Sequence, residues 1–147
     1  MSFNIELYQG KFYEIYKQNA WFEIGCQAAT TNYELTFDKK HMKVLNFCYS
    51  DKGTGQSYTL QQPNLRVVKT ITGLATPTED PLILDLQFDS GHRGIYEIFY
   101  TDYFYSIVGT LSYNYLSILS SEPYIPYHEI LKLQDIAKSY GFTIDLW

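Results

Sequence analysis

Ala29-Thr30-Thr31-Asn32-Tyr33-Glu34-Leu35-Thr36-Phe37-Asp38 alternates without a break. Ala29, Thr31, Tyr33, Leu35 and Phe37 fall on one face, and Thr30, Asn32, Glu34, Thr36 and Asp38 on the other. A period of two with one dry and one wet side predicts a half-buried β-strand. The polar stretch Asp38-Lys39-Lys40-His41 then reads as a turn into a second strand, Met42 to Ser50, so the two runs predict an antiparallel hairpin. Asp51-Lys52-Gly53-Thr54-Gly55 closes that second strand.

The same pattern extends along the chain. Lys11 to Lys17 precedes the hairpin, and Leu65 to Ala75 follows it, ending at Thr76-Pro77. Leu82, Leu84, Leu86 and Phe88 then alternate against Ile83, Asp85, Gln87 and Asp89. Gly94 to Thr101, Tyr103 to Gly109 and Tyr115 to Ser120 bring the count of strands to eight. Helical period occurs once, at Ile130, Leu133, Ala137 and Tyr140, with Pro126 suited to a first turn and Gly141 to a stop. Short connections between successive strands suit a meander, and closing it removes the exposed edges. The expected fold is all-β, an eight-stranded antiparallel up-and-down barrel with one C-terminal α-helix packed outside, and residues 1–147 form a single domain. A barrel of eight strands is wide enough inside for one small ligand.

Composition narrows the function. The formal net charge is -5 and no run of Lys or Arg stands out, so neither nucleic acid nor an anionic membrane surface is an expected partner. Fifteen Tyr and nine Phe favour pleated, half-buried surfaces. No stretch approaches the roughly 20 apolar residues of a membrane span. The start, MSFNIELYQGKF, lacks an export signal, so a cytoplasmic location is expected as written, and a periplasmic, secreted or membrane-associated one if a leader was removed. His41, His92 and His128 fall at separate turns and near the helix start, without metal-ligand spacing, and no cofactor is expected. Two cysteines, Cys26 and Cys48, leave one disulfide or two free thiols open.

Gly10-Lys11-Phe12-Tyr13-Glu14-Ile15, Phe22-Glu23-Ile24-Gly25-Cys26, Thr31-Asn32-Tyr33-Glu34-Leu35 and Val44-Leu45-Asn46 together resemble the lipocalin family, and look closest to its apolipoprotein D and bacterial lipocalin branch. Thr101-Asp102-Tyr103 with Ile107-Val108-Gly109 resembles the second family motif, and Tyr115-Leu116-Ser117-Ile118-Leu119-Ser120 the third, in family order over essentially the whole chain. Two positions depart from the pattern: Phe12 stands where the family has Trp, and Ser121 where it has an Arg packed over that ring. Losing both together is coherent, because Phe opposite Ser leaves a plain apolar floor without a lone charge. The resemblance also implies that Cys26 and Cys48 pair, as in related secreted bacterial sequences; free buried thiols remain an equal alternative.

Alternation places Tyr33 and Leu35 inside the barrel. The register implied by the resemblance adds Asn46, Cys48, Leu84, Leu86, Phe88, Glu97, Phe99, Ser117 and Leu119, of which Tyr33, Asn46, Phe88 and Leu119 match cavity positions of apolipoprotein D-type relatives. Ordinary core packing is the alternative for each of them. Ser117 stands where that branch often carries Trp, which implies a wider cavity there. An acid inside an apolar calyx would be held neutral or paired with a ligand's polar head, which makes Glu97 the sharpest candidate; a slip of one residue moves it to solvent. Trp21 and Phe22 belong to the long first connection and read as mouth residues. Leu45, Phe47 and Tyr49 form an outward strip, a weak pointer to a loop cover or a homodimer.

The function expected from this is storage or transport of a small hydrophobic molecule, such as a fatty acid or lysophospholipid, by burial in the barrel. The alternatives are a side-chain-filled barrel that serves as a scaffold or interaction module, and, at lower weight, an isomerase-type enzyme with Cys48 and Glu97 as its only plausible pair.

Overall fold

The computed structural model describes residues 3–18, 26, 28–50, 66–110 and 115–144. Its strands are β1 (Gly10–Gln18), β2 (Ala28–Leu35), β3 (Met42–Ser50), β4 (Arg66–Pro77), β5 (Ile83–Phe88), β6 (Arg93–Thr101), β7 (Tyr105–Thr110) and β8 (Leu116–Ser120), followed by helix α1 (Tyr127–Ser139). Each strand pairs antiparallel with its neighbour in sequence, and β8 pairs with β1, from Tyr13 opposite Ser120 to Gln18 opposite Leu116. The sheet is therefore a closed eight-stranded barrel with one C-terminal helix, as the alternation predicts.

Two strands start or stop where polar side chains outcompete the ladder. β2 ends at Leu35, not Asp38, because Asp38 Oδ1 accepts from Thr36 Oγ1 (2.6 Å) and Lys40 N–H (3.0 Å), with Lys39 in the left-handed region at φ 61°. Phe37, expected on the inward face, is consequently fully exposed in the turn. β7 begins at Tyr105 because Asp102 Oδ1 accepts the N–H groups of Phe104 and Tyr105 at 3.0 and 2.7 Å.

A short 3₁₀ turn at Ile5–Leu7 went unread in the sequence. Asn4 caps it by accepting Glu6 N–H, while the Asn4 N–H donates to the Tyr103 hydroxyl at 2.8 Å and Phe3 stacks on the Tyr103 ring. This lays the N-terminal segment across one end of the barrel and inserts Tyr8, which is completely buried. Phe12 stacks on Tyr8 with ring centroids 5.4 Å apart and meets Tyr33 edge-on at 5.7 Å, so the floor is apolar and aromatic. Ser121 instead bonds the Phe104 carbonyl through both its N–H and its hydroxyl.

Two cores share the sheet. Inside the barrel lie Tyr8, Phe12, Met42, Val44, Leu84 and Phe88 with their neighbours. Outside it, Tyr16, Ile107, Leu116 and Ile118 pack beneath Leu133, Ala137 and Phe142. The helix thus buries the stripe its period predicts, although Tyr140 stays largely exposed and touches Phe99 with its ring. Gly141, at φ 106°, stops the helix in a conformation that favours glycine. The register shift between Glu14 and Tyr16 lets β1 serve both cores, with Phe12 and Glu14 inward and Tyr16 outward.

Gly109 leaves no room for a side chain between the approach to β8 and the segment after the helix. A Cβ there would stand 2.6 Å from the Tyr115 carbonyl oxygen and 2.8 Å from Phe142 Cζ, and the backbone contact cannot yield by a rotamer change. Gly109→Ala is expected to destabilise the protein by about 1–3 kcal/mol, read as a lower denaturant midpoint at unchanged slope.

Candidate functional site

The inward faces converge on one cavity of about 40 Å3. Seven of the expected residues line it: Tyr33 from β2, Asn46 from β3, Leu84, Leu86 and Phe88 from β5, and Ser117 and Leu119 from β8. Their alternation with outward neighbours is what the strands require, since each sits two positions from the next inward residue.

Three other expectations resolve differently. Cys48 is on the inner face of β3, but its sulfur is bonded to Cys26, whose Cα lies 5.3 Å from its own, and it does not line the cavity. Of the two states left open for the thiols, the structure has the disulfide. Glu97 and Phe99 do not enter the barrel: β6 presents Tyr96 and Ile98 inward, one residue out of step with the register the resemblance implied. The physical reason lies on both faces. Tyr96 and Ile98 bury apolar surface where a carboxylate would lose its hydration, and Phe99 packs edge-on against Phe142 beneath the helix at 5.0 Å. Glu97 is half-buried on the outside, its carboxyl held above the usual range by partial desolvation and by Asp80. The pairing of Cys48 with Glu97 as an enzymatic couple is thereby dismantled. Trp21 and Phe22 lie outside the described residues.

Among the described residues, hydrogen bonds link polar side chains inside the barrel at three places. At the floor, the Tyr8 and Ser106 hydroxyls are 2.5 Å apart and Tyr33 hydrogen-bonds Tyr8. Burial first, and then the neighbouring hydroxyls of Tyr8 and Tyr115, push the Tyr33 phenol well above the usual tyrosine range; burial does the same to Tyr8 against the opposing hydrogen bond from Ser106. Midway up, Thr31 Oγ1 donates to Asn46 Oδ1 at 2.7 Å. On β1, Glu14 Oε2 accepts the Ser117 hydroxyl at 2.7 Å. The interior acid is therefore Glu14, not Glu97. It was legible: Glu14 lies two residues beyond Phe12, on the same face of a strand. Tyr96 and Tyr115, whose rings meet edge-on at 5.6 Å, were also missed: β6 carries apolar residues on both faces, and Tyr115 stands just before β8, two residues from the inward Ser117. Among the described residues no group of His, Cys, Asp and Glu could hold a metal ion.

The family model of the lipocalin-like domain matches residues 3–146. The chain belongs to the lipocalin-like family. No sequence among curated proteins matches this lipocalin significantly. Among solved structures it is similar to lobster apocrustacyanin A1, with a TM-score of 0.67 and 16% identity over 95% of this chain and 74% of that one. It is also similar to the major cockroach allergen Per a 4, with a TM-score of 0.62 and 18% identity over 97% and 84%, and to H1 crustacyanin from the lobster Homarus americanus, at 0.60 and 17% over 91% and 71%. At these identities the likeness is one of fold.

The buried phenols set an alkaline limit. Since folding raises the pKa of Tyr8 and Tyr33, the unfolded chain loses those protons first. Stability is then complete below the unfolded value near 10 and falls as pH rises above it, by about 1.4 kcal/mol per pH unit for each group. Denaturant titrations between pH 9 and pH 12 are expected to show this fall, and Tyr8→Phe with Tyr33→Phe to flatten it.

Proposed function

We propose that this lipocalin binds one small, predominantly apolar molecule in its calyx, a fatty acid, lysolipid or similar amphiphile, as the resemblance to the apolipoprotein D and bacterial branch suggests. The wall supports the reading: Leu84, Leu86, Phe88, Ile98, Val108 and Leu119 offer a continuous apolar surface whose burial by a ligand contributes about 25 cal/mol per Å2. The observation that carries it is Asn46. Its side chain is buried and lines the cavity, and with Oδ1 engaged by Thr31 its Nδ2 donor has no partner among the described residues. A buried donor left unsatisfied costs about 1–3 kcal/mol, which an acceptor on a bound molecule recovers.

The volume supports the second reading, a barrel filled by its own side chains. About 40 Å3 is far below the roughly 300–1,000 Å3 of ligand pockets, so a ligand of amphiphile size enters only if lining side chains turn aside. Tyr96 and Tyr115 are the largest residues to move.

Native mass spectrometry of gently purified protein, with solvent extraction and uptake of a fluorescent lipid probe, separates the two. Binding predicts one equivalent of ligand and an affinity lowered at least about tenfold by Leu86→Trp, a change of about 1.4 kcal/mol. Neither extracted ligand nor probe uptake would assign the protein to the filled barrel.

A further inference from the structure

We infer that Tyr96 sets the size of the molecule the calyx accepts, its ring closing the cavity against long alkyl chains. The inference rests on the calyx being a ligand site and concerns which chain lengths enter it. A cavity of about 40 Å3 holds about three water molecules and no alkyl chain of amphiphile length, so the side chain that yields decides what binds. Position singles out Tyr96. The N-terminal segment crosses the barrel end at Tyr103, just past the end of β6 at Thr101, so β6 begins at the opposite end, with Arg93. Tyr96 belongs to that far half of the strand, and its ring leans farther along it: a Cβ on Gly94 would stand 3.1 Å from Tyr96 Cε1 and 3.7 Å from Cζ. Gly94, with no side chain, is the seat of the ring. Tyr115, just before β8, meets the ring edge-on with centroids 5.6 Å apart. Both rings line the cavity, and both stand on its side away from the aromatic floor.

The other large lining groups are held in place. Tyr8 and Tyr33 are tied into the floor by hydrogen bonds and by their contacts with Phe12. Phe88 lies sideways over its cross-strand partner Gly73, so its ring belongs to the wall. Ile98 and Val108 are β-branched and stiff about χ1. The Tyr115 carbonyl accepts the Thr110 N–H at 3.3 Å and sits against Gly109, which fixes the backbone that carries its ring. Tyr96 is left as the ring that can turn from its glycine seat, and turning it joins the cavity to the far end of the barrel.

The experiment measures the binding of octanoic and dodecanoic acid to the full chain by titration calorimetry at pH 7, below their micellar concentrations. Four further methylenes buried without hindrance would favour dodecanoic acid by roughly a hundredfold. In the native protein the two affinities are instead expected to lie within about threefold of each other. In Tyr96→Ala, and in Tyr96→Leu as a second variant, dodecanoic acid is expected to gain at least about tenfold over octanoic acid. Tyr96→Phe, which keeps the ring, and Ile98→Ala, which makes room on the floor side of it, are expected to keep the native ratio. A native ratio already near a hundredfold, a ratio unchanged in both ring-removing variants, or an equal rise in Tyr96→Phe or Ile98→Ala would overturn the inference, while the binding itself upheld the ligand site. Uptake by the ring-removing variants alone would support the ring as the barrier and assign the native protein to the filled barrel. Failure of every variant to bind either acid would overturn the site and the inference with it.

Discussion

Everything in this molecule depends on β8 finding β1. That ladder joins residues about a hundred positions apart, so its loop-closure entropy is the largest of any strand pair, and it is recovered only when the sheet closes. Once closed, the sheet has no free edge, and its two faces acquire separate roles: an enclosed interior and an outer surface on which the helix docks. The same ladder brings Glu14 against Ser117, whose hydroxyl donates to its carboxylate.

The register shift in β1 reconciles those roles. A regular strand would keep Phe12, Glu14 and Tyr16 on one side. The shift sends Tyr16 outward to the helix core and leaves Phe12 and Glu14 within. Gly109 on β7 serves the complementary need on the other side of β8, giving Phe142 space to cover the sheet. Interior and exterior packing are thus tuned by single residues, and the helix adds apolar burial where the outward faces of β7 and β8 would otherwise meet water.

At the floor, the family's Trp and Arg are replaced by a different solution. Phe12 is joined by Tyr8 and Tyr33, and the N-terminal 3₁₀ turn carries Tyr8 to its place. Aromatic rings supply the seal, and the hydroxyls satisfy one another and Ser106, so no charge is buried there. The interior keeps polar atoms in hydrogen-bonded pairs, Asn46 with Thr31 and Ser117 with Glu14, beside the apolar part of the wall.

The strand count, the meander and the late helix were written in local pattern, and most of the cavity wall followed from the register that the family resemblance implied. A period of two declares which side of β2, β3 and β5 is dry wherever the other side is polar, as at Glu34, Lys43 and Asp85. The pattern was silent where both sides are apolar. On β6, Tyr96, Ile98 and Phe99 are all buried, because one face looks into the barrel and the other lies under the helix, and only the assembled structure says which is which. Tertiary structure alone decided that Cys26 and Cys48 meet and that Tyr8 closes the floor. Each of these is a contact between segments distant in sequence, and no local period encodes a distance across a barrel.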